Sequence, residues 1–318
     1  MTALTATPSR LGIAFMLGGM FFVSLNDMLI KLLAGGYPLH QIIFMRSFVG
    51  LLLTFGMLMA EGGVGLLRTG KPMLHTLRCV CIIIANSCMY AAIVAMPLAT
   101  ANAIYFVAPL FVTLLSIPVL GERVGPRRFA AIGMGFVGVL VMMMPELTAG
   151  SAGLGWVVVL PLCAAAGYAS MSVLTRKLGA TSRASALAIQ IQIAFLVVSA
   201  VMYLIAGDGR YEPEGASESI RFLLRPWLWP TLWDAVVFGG LGVVSALVGY
   251  FMTQAYRLSP AALVAPFEYV LLVYALFWGW TVFGEWPDAT VFLGVAILVA
   301  SGVYIFMREG RRRSVRRV

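Results

Sequence analysis

Apolar residues run along this chain in blocks of about 20, each closed by a short polar, charged or glycine-rich stretch. A helix needs roughly 20 apolar residues to cross a bilayer's hydrocarbon core. The pattern therefore predicts ten membrane-spanning helices over 11–34, 39–60, 73–96, 98–120, 128–145, 154–175, 184–206, 232–256, 261–283 and 288–307. Helices are expected because lipid offers backbone groups no outside partner. The alternating pattern of outer-membrane strands is absent. The opening MTALTATPSR lacks the basic region and cleavage site of a secretory leader, so the first span is expected to remain as an anchor.

Composition changes the picture only by excluding alternatives. With 61% hydrophobic and 11% charged residues over 318 positions, soluble folding is ruled out. The charges that remain set an orientation, because short loops rich in Lys and Arg stay on the cytoplasmic side. With the N-terminus inside, 16 of the 22 Lys and Arg fall on inner segments, among them Arg10, Arg68, Lys71, Arg123, Arg127, Arg128, Arg176, Lys177, Arg183 and Arg257. Only Arg210, Arg221 and Arg225 fall outside, and Lys31, Arg46 and Arg78 lie within spans. Both termini are thus expected in the cytoplasm. The net charge of +9 resides on that face and in the basic tail 308–318, suited to anionic lipid headgroups. No soluble domain accompanies the basic run, so nucleic acid is not an expected partner.

Other chemistries find little support. The four cysteines, Cys79, Cys81, Cys88 and Cys163, fall inside spans as small packing residues. His40 and His75 complete no ligand set with them, so no metal is expected. No Walker loop or dinucleotide fingerprint occurs. Nor do a nucleophile, base and orienting group stand at workable spacing. The chain reads as a non-enzyme without a cofactor.

Two segments repeat. At a constant offset of 163 residues, Pro97 meets Pro260, Ala99 meets Ala262, Gly121 meets Gly284 and Glu122 meets Glu285. Each half holds five spans, so the two Gly-Glu turns face opposite sides of the membrane. The charges agree, since GERVGPRR is basic and GEWPD carries no Lys or Arg. The expected architecture is all-α, with two inverted five-helix repeats over 10–146 and 154–307, an arrangement many secondary transporters build around one central site.

The run PLATANAIYFVAPL, the following GERVGPRRFAAIGMGFVGVLV and the FMRS motif around Arg46 resemble the EamA-type members of the drug/metabolite transporter superfamily. That resemblance implies a ten-helix inner-membrane carrier of a small metabolite, with a central cavity and with the fifth and tenth helices to the side. PFEYVLL and FGEWP are similar to a bacterial subgroup that includes riboflavin and S-adenosylmethionine uptake proteins. Export of an amino acid or related metabolite and uptake of a flat vitamin or cofactor-like solute both stay open. One departure concerns the ninth span. Leu272 stands where the first repeat has Pro109, and the proline comes earlier, at Pro266. A broken region is therefore expected deeper, beside Glu268 and Tyr269.

Ionisable residues inside a span are costly and normally face the bundle interior. Asp27 and Lys31 sit four apart on one helix face and either satisfy each other or join Arg46, leaving one cation for a substrate carboxylate or phosphate. Glu268 has no Lys or Arg near it in sequence. It reads either as a proton-coupling or substrate-contacting carboxylate, or as a structural partner of Arg78. Asn26, Asn86, Asn102, Tyr105, Tyr168, Ser170, Gln190, Gln192, Tyr250 and Gln254 individually suit helix-packing hydrogen bonds. Arg46, Asn86 and Asn102, with Tyr105, Tyr168, Tyr250 and Tyr269, form the expected substrate wall, its rings suited to a flat group. Glycine-rich final spans can pack within a monomer or between subunits of a homodimer. The loop near 207–230 reads as a solvated cover, with gating as the alternative.

Overall fold

The computed structural model describes residues 8–68, 70–121, 126–148, 157–178, 184–212, 215, 218–258 and 265–300. The Glu122 turn, the start of the ninth span around Pro260 and Ala262, and the basic tail lie outside these. Among the described residues the secondary structure is helical throughout. The helices are α1 (Pro8–Ala34), α2 (Leu39–Glu61), α3 (Pro72–Ala95), α4 (Leu98–Tyr105), α5 (Ala108–Leu120), α6 (Pro126–Thr148), α7 (Val159–Leu178), α8 (Ala184–Ala206), α9 (Glu218–Leu224), α10 (Leu232–Leu258), α11 (Val270–Phe283) and α12 (Ala289–Ala300). Among the described residues, six stretches are long and apolar enough to cross a membrane, and four shorter apolar helices accompany them. Large apolar side chains such as Leu52, Leu204, Val273 and Leu293 point outward, where a soluble protein would place charge.

The fourth span is one apolar stretch, Leu98–Leu120, interrupted between α4 and α5 at Phe106 and Val107. Pro109, in the first turn of α5, lacks the N–H a continuous helix would use. The ninth span is broken as well. A 3-10 turn over Ala265–Tyr269 leads into α11 at Val270. Glu268 and Tyr269 sit at the break, as expected, but it is no deeper than its counterpart, because Val270 stands 163 residues after Val107. A tight 3-10 turn supplies the change of direction without a proline at position 272.

Among the described residues the most extensive helix pairings are α1 with α10, α3 with α7, and α2 with α8. Glycine permits the tightest approach. A Cβ placed on Gly138 of α6 would lie 2.8 Å from the Gly294 carbonyl oxygen of α12, so the two helices meet backbone to backbone within one chain. Gly121 and Gly284 end α5 and α11 with φ of 70° and 66°, a left-handed cap that glycine adopts without a Cβ penalty.

One end of the bundle is closed by polar contacts between distant segments. Lys31 forms an ion pair with Glu285 in the α11–α12 turn, and its Nζ also donates to the Met96 carbonyl at 2.9 Å. The second carboxylate oxygen of Glu285 accepts from the Leu98 N–H at 3.0 Å, capping α4. Asp27 is not the partner of Lys31. Four residues correspond to slightly more than one turn, yet the lysine extends to the helix end, where burial favours an acceptor with two oxygens and a backbone carbonyl. Nearby, Tyr37 donates to Asp234 at 2.7 Å and the Gln41 amide pairs with the Leu228 backbone. Arg225 donates to the carbonyls of Ala34 and Gly35.

The connection after α8 folds down over this end. In α9, Phe222 and Ser219 are buried, and the Ser219 hydroxyl donates to the Ala91 carbonyl. Exposed Trp229, Trp233 and Trp286 surround the same end, where amphipathic rings suit a membrane–water boundary.

Candidate functional site

A cavity of about 800 Å³ lies between the helices, within the range of small-molecule sites. Its wall is shared by α1, α2, α3, α4, α5, α7, α8, α10, α11 and the 3-10 turn. From the bundle centre it reaches Thr54, Met57 and Glu61 at the end of α2, Ser185 at the start of α8, and Gln254 in α10. Lys31, Tyr37, Gln41 and Glu285 contribute nothing to its surface, so the cavity extends away from the closed end.

Most of the expected substrate wall is brought together here. Arg46, Asn86, Asn102, Tyr105, Tyr168 and Tyr250 all line the cavity, with Asp27 and Glu268. Tyr269 does not. It packs against Phe106, ring centroids 5.2 Å apart and planes at 33°. Lys31 belongs to the closed end. Arg78 is also off the wall, buried and donating from Nη2 to the Leu187 carbonyl at 2.9 Å, which ties α3 to α8.

Arg46 sits mid-helix on α2 and is 4% exposed. Its Nη1 donates to the Tyr90 hydroxyl at 2.6 Å, and its guanidinium lies over the rings of Tyr90 and Phe195, 5.5 and 5.3 Å from their centroids. Two ring faces partly replace the water a buried cation loses. The Asn26 amide donates both to the same hydroxyl at 3.4 Å and to Asp27 Oδ1 at 3.3 Å. Asn102 is a further hydrogen-bond neighbour of Asp27. Asp27 and Arg46 interact electrostatically, yet no ion pair joins them among the described residues.

Tyr90 is a residue that sequence reasoning missed. Its only signal was a hydroxyl within an apolar span, and nothing in the sequence aligns it with Arg46, 44 residues earlier. Glu61 was also missed, because it ends its span and reads as a solvated helix terminus. Here it accepts from Ser185 at 2.7 Å at the cavity's far end.

Across the cavity, Tyr105 and Tyr168 are in ring contact, 5.9 Å between centroids and tilted at 59°. Glu268 lies within electrostatic reach of both hydroxyls. The described wall thus combines apolar surface, a guanidinium, carboxylates, amides and phenols, which suits reversible binding of a small polar organic molecule.

Comparison with known proteins agrees with this chemistry. Residues 10–144 match the EamA-like transporter family. A riboflavin transporter of Rhizobium johnstonii is 30% identical over 79% of this chain and 75% of its own length. An S-adenosylmethionine uptake transporter of Rickettsia prowazekii is 22% identical over 95% of each chain. A pseudopaline exporter of Pseudomonas aeruginosa is 30% identical over 88% of this chain and 90% of its own. A crystal structure 18% identical in sequence shares the fold over 95% of this chain and 98% of its own, with a TM-score of 0.58.

Proposed function

Because this chain belongs to the EamA-like transporter family, we propose that it carries its solute across the bacterial inner membrane by alternating access between two inverted five-helix halves. It is a multi-pass membrane transporter of a small molecule, not an enzyme. The observation that carries the mechanism is the asymmetry of the cavity. Its wall runs from the bundle centre to Glu61 and Ser185, while the opposite end is sealed around Lys31 and Glu285.

Helix pairing supports the two-halves reading. A two-fold axis that exchanges the first and sixth spans, and the third and eighth, turns the α1–α10 pair into the α7–α3 pair, and both are among the most extensive pairings of the described residues. The Lys and Arg distribution supports an orientation with the sealed end outside and the Glu61 end in the cytoplasm. In that orientation the conformation is inward-facing, both termini are cytoplasmic, and residues 308–318 meet anionic lipid headgroups.

Glu268 is the carboxylate assigned to proton coupling. It lines the cavity at the break of the ninth span, where alternating access presents it to each side in turn. A flat vitamin or cofactor-like solute is the second reading, favoured by the Tyr105–Tyr168 ring pair.

Reconstituted proteoliposomes test the carrier reading. Preloading with S-adenosylmethionine, riboflavin or an amino-acid mixture should give saturable counterflow of the matching labelled compound. Unsaturable, channel-like conductance would overturn it.

A further inference from the structure

We infer that the Asp27–Asn26–Tyr90–Arg46 cluster is a receptor for a zwitterionic α-amino acid head group, with the solute's carboxylate on Arg46 and its ammonium on Asp27. This inference rests on the carrier reading above and deepens it by naming the substrate class.

The warrant is the way two opposite charges are kept apart. A buried carboxylate and a buried guanidinium on neighbouring helices stabilise one another best by direct, bidentate contact. Here each instead binds neutral groups. Asp27 takes the amides of Asn26 and Asn102, and Arg46 takes the Tyr90 hydroxyl. Asn26 and Tyr90 stand between them, so three hydrogen bonds in series separate cation from anion. All four side chains reach the cavity wall.

The cluster is also incompletely satisfied. Arg46 Nε and Asn26 Oδ1 are buried and have no hydrogen-bond partner. One is a donor and the other an acceptor, and leaving such groups unmet inside a protein is costly. Small side-chain movements on binding bring both into use. A carboxylate supplies acceptors to the guanidinium, and an ammonium supplies donors to Asp27 and Asn26. A singly charged ligand would leave one side of the relay unmatched. The two charges of an α-amino acid lie on one carbon and match a single wall of this kind. The remainder of the solute then projects toward Tyr105 and Tyr168, which also line the cavity.

The test uses the purified full-length chain in nanodiscs, with direct binding of labelled S-adenosylmethionine and methionine, their decarboxylated analogues, and riboflavin. At least one amino-acid-headed probe should bind, and its decarboxylated analogue should bind at least tenfold more weakly. Arg46→Lys, which keeps the charge and approximate side-chain size, should remove most of that preference, whereas Asp27→Asn should weaken the intact probe and its decarboxylated analogue alike, because both keep the ammonium. Riboflavin, which has no such head group, should not gain or lose affinity with Asp27→Asn. Equal binding of intact and decarboxylated probes, or no binding by either amino-acid-headed compound, overturns the inference. Counterflow on the same preparation separates the two levels. Saturable riboflavin exchange without head-group preference keeps the carrier and discards the receptor. Head-group-selective binding without counterflow keeps the receptor and discards the carrier reading.

Discussion

Phe106 and Tyr269 lie against each other at the centre of the bundle, ring centroids 5.2 Å apart, and stand 163 residues apart in sequence. That separation is the offset that superimposes Pro97 on Pro260 and Gly121 on Gly284, so the two rings occupy the same position in the two repeating segments. Each also ends the short helical piece before its broken span resumes, α5 on one side and α11 on the other. Phe106→Ala should lower unfolding free energy by about 3 kcal/mol, the usual cost of removing a buried ring. Tyr269→Phe should cost far less, because the ring makes the contact. Denaturant titration of both variants in detergent checks the difference, and equal losses would contradict it.

For Arg46, Arg46→Ala should reduce transport at least tenfold more than Arg68→Ala, since only Arg46 lines the cavity. Arg46→Lys should not restore full activity, because an ammonium cannot reproduce a planar group resting on two rings. Tyr90→Phe removes the hydroxyl that joins Arg46 to Asn26 and should also impair transport. Initial rates at matched expression decide the point, and wild-type rates for Arg46→Ala would refute it.

The Lys31–Glu285 pair makes a conformational prediction. Glu285→Gln removes the counter-ion of a lysine that is nearly buried, and breaking such a pair from one side costs more than the pair is worth intact. The sealed end should open more often. A cysteine at Met89, on the cavity wall, should then react severalfold faster with a membrane-impermeant reagent applied outside. Unchanged labelling would show that Tyr37, Gln41 and Arg225 hold the end without it.

Topology can be read by labelling intact cells. Cysteines at positions 211 and 286 should react from outside, and one at position 125 should not. The reverse pattern would invert the orientation drawn from the Lys and Arg distribution.

Glu268→Gln imitates a permanently protonated carboxylate. It should retain equilibrium exchange and lose accumulation driven by a pH gradient. Accumulation with an unchanged pH profile would remove Glu268 from the coupling step.

The six long spans were legible because hydropathy is a local property, and among the described residues those apolar blocks coincide with helices to within a few residues. The cavity wall was largely legible too, since polar groups in an apolar stretch have few places to go except inward. Pairing was not. Helical spacing offers Lys31 either Asp27 or a shared cluster with Arg46, whereas its partner lies 254 residues away. Removing Lys31 from the cluster also removes the cationic surplus the sequence suggested there. Tyr90 was overlooked because its importance comes from meeting Arg46 across a helix interface. Tyr269 was placed on the wall by analogy with other tyrosines, but the 3-10 turn directs it toward Phe106.

The clasp at the sealed end has a consequence for biogenesis. Lys31 enters the membrane with the first helix, while Glu285 emerges from the ribosome 254 residues later. Throughout that interval the ammonium has neither its counter-ion nor, until Met96 arrives, its carbonyl acceptor. Insertion of the first helix must therefore tolerate a temporarily unmatched lysine near its C-terminal end, where the long side chain can reach the headgroups. Any nascent or truncated chain that ends before position 285 keeps that lysine unmatched, a distinguishing mark that membrane quality control can act on.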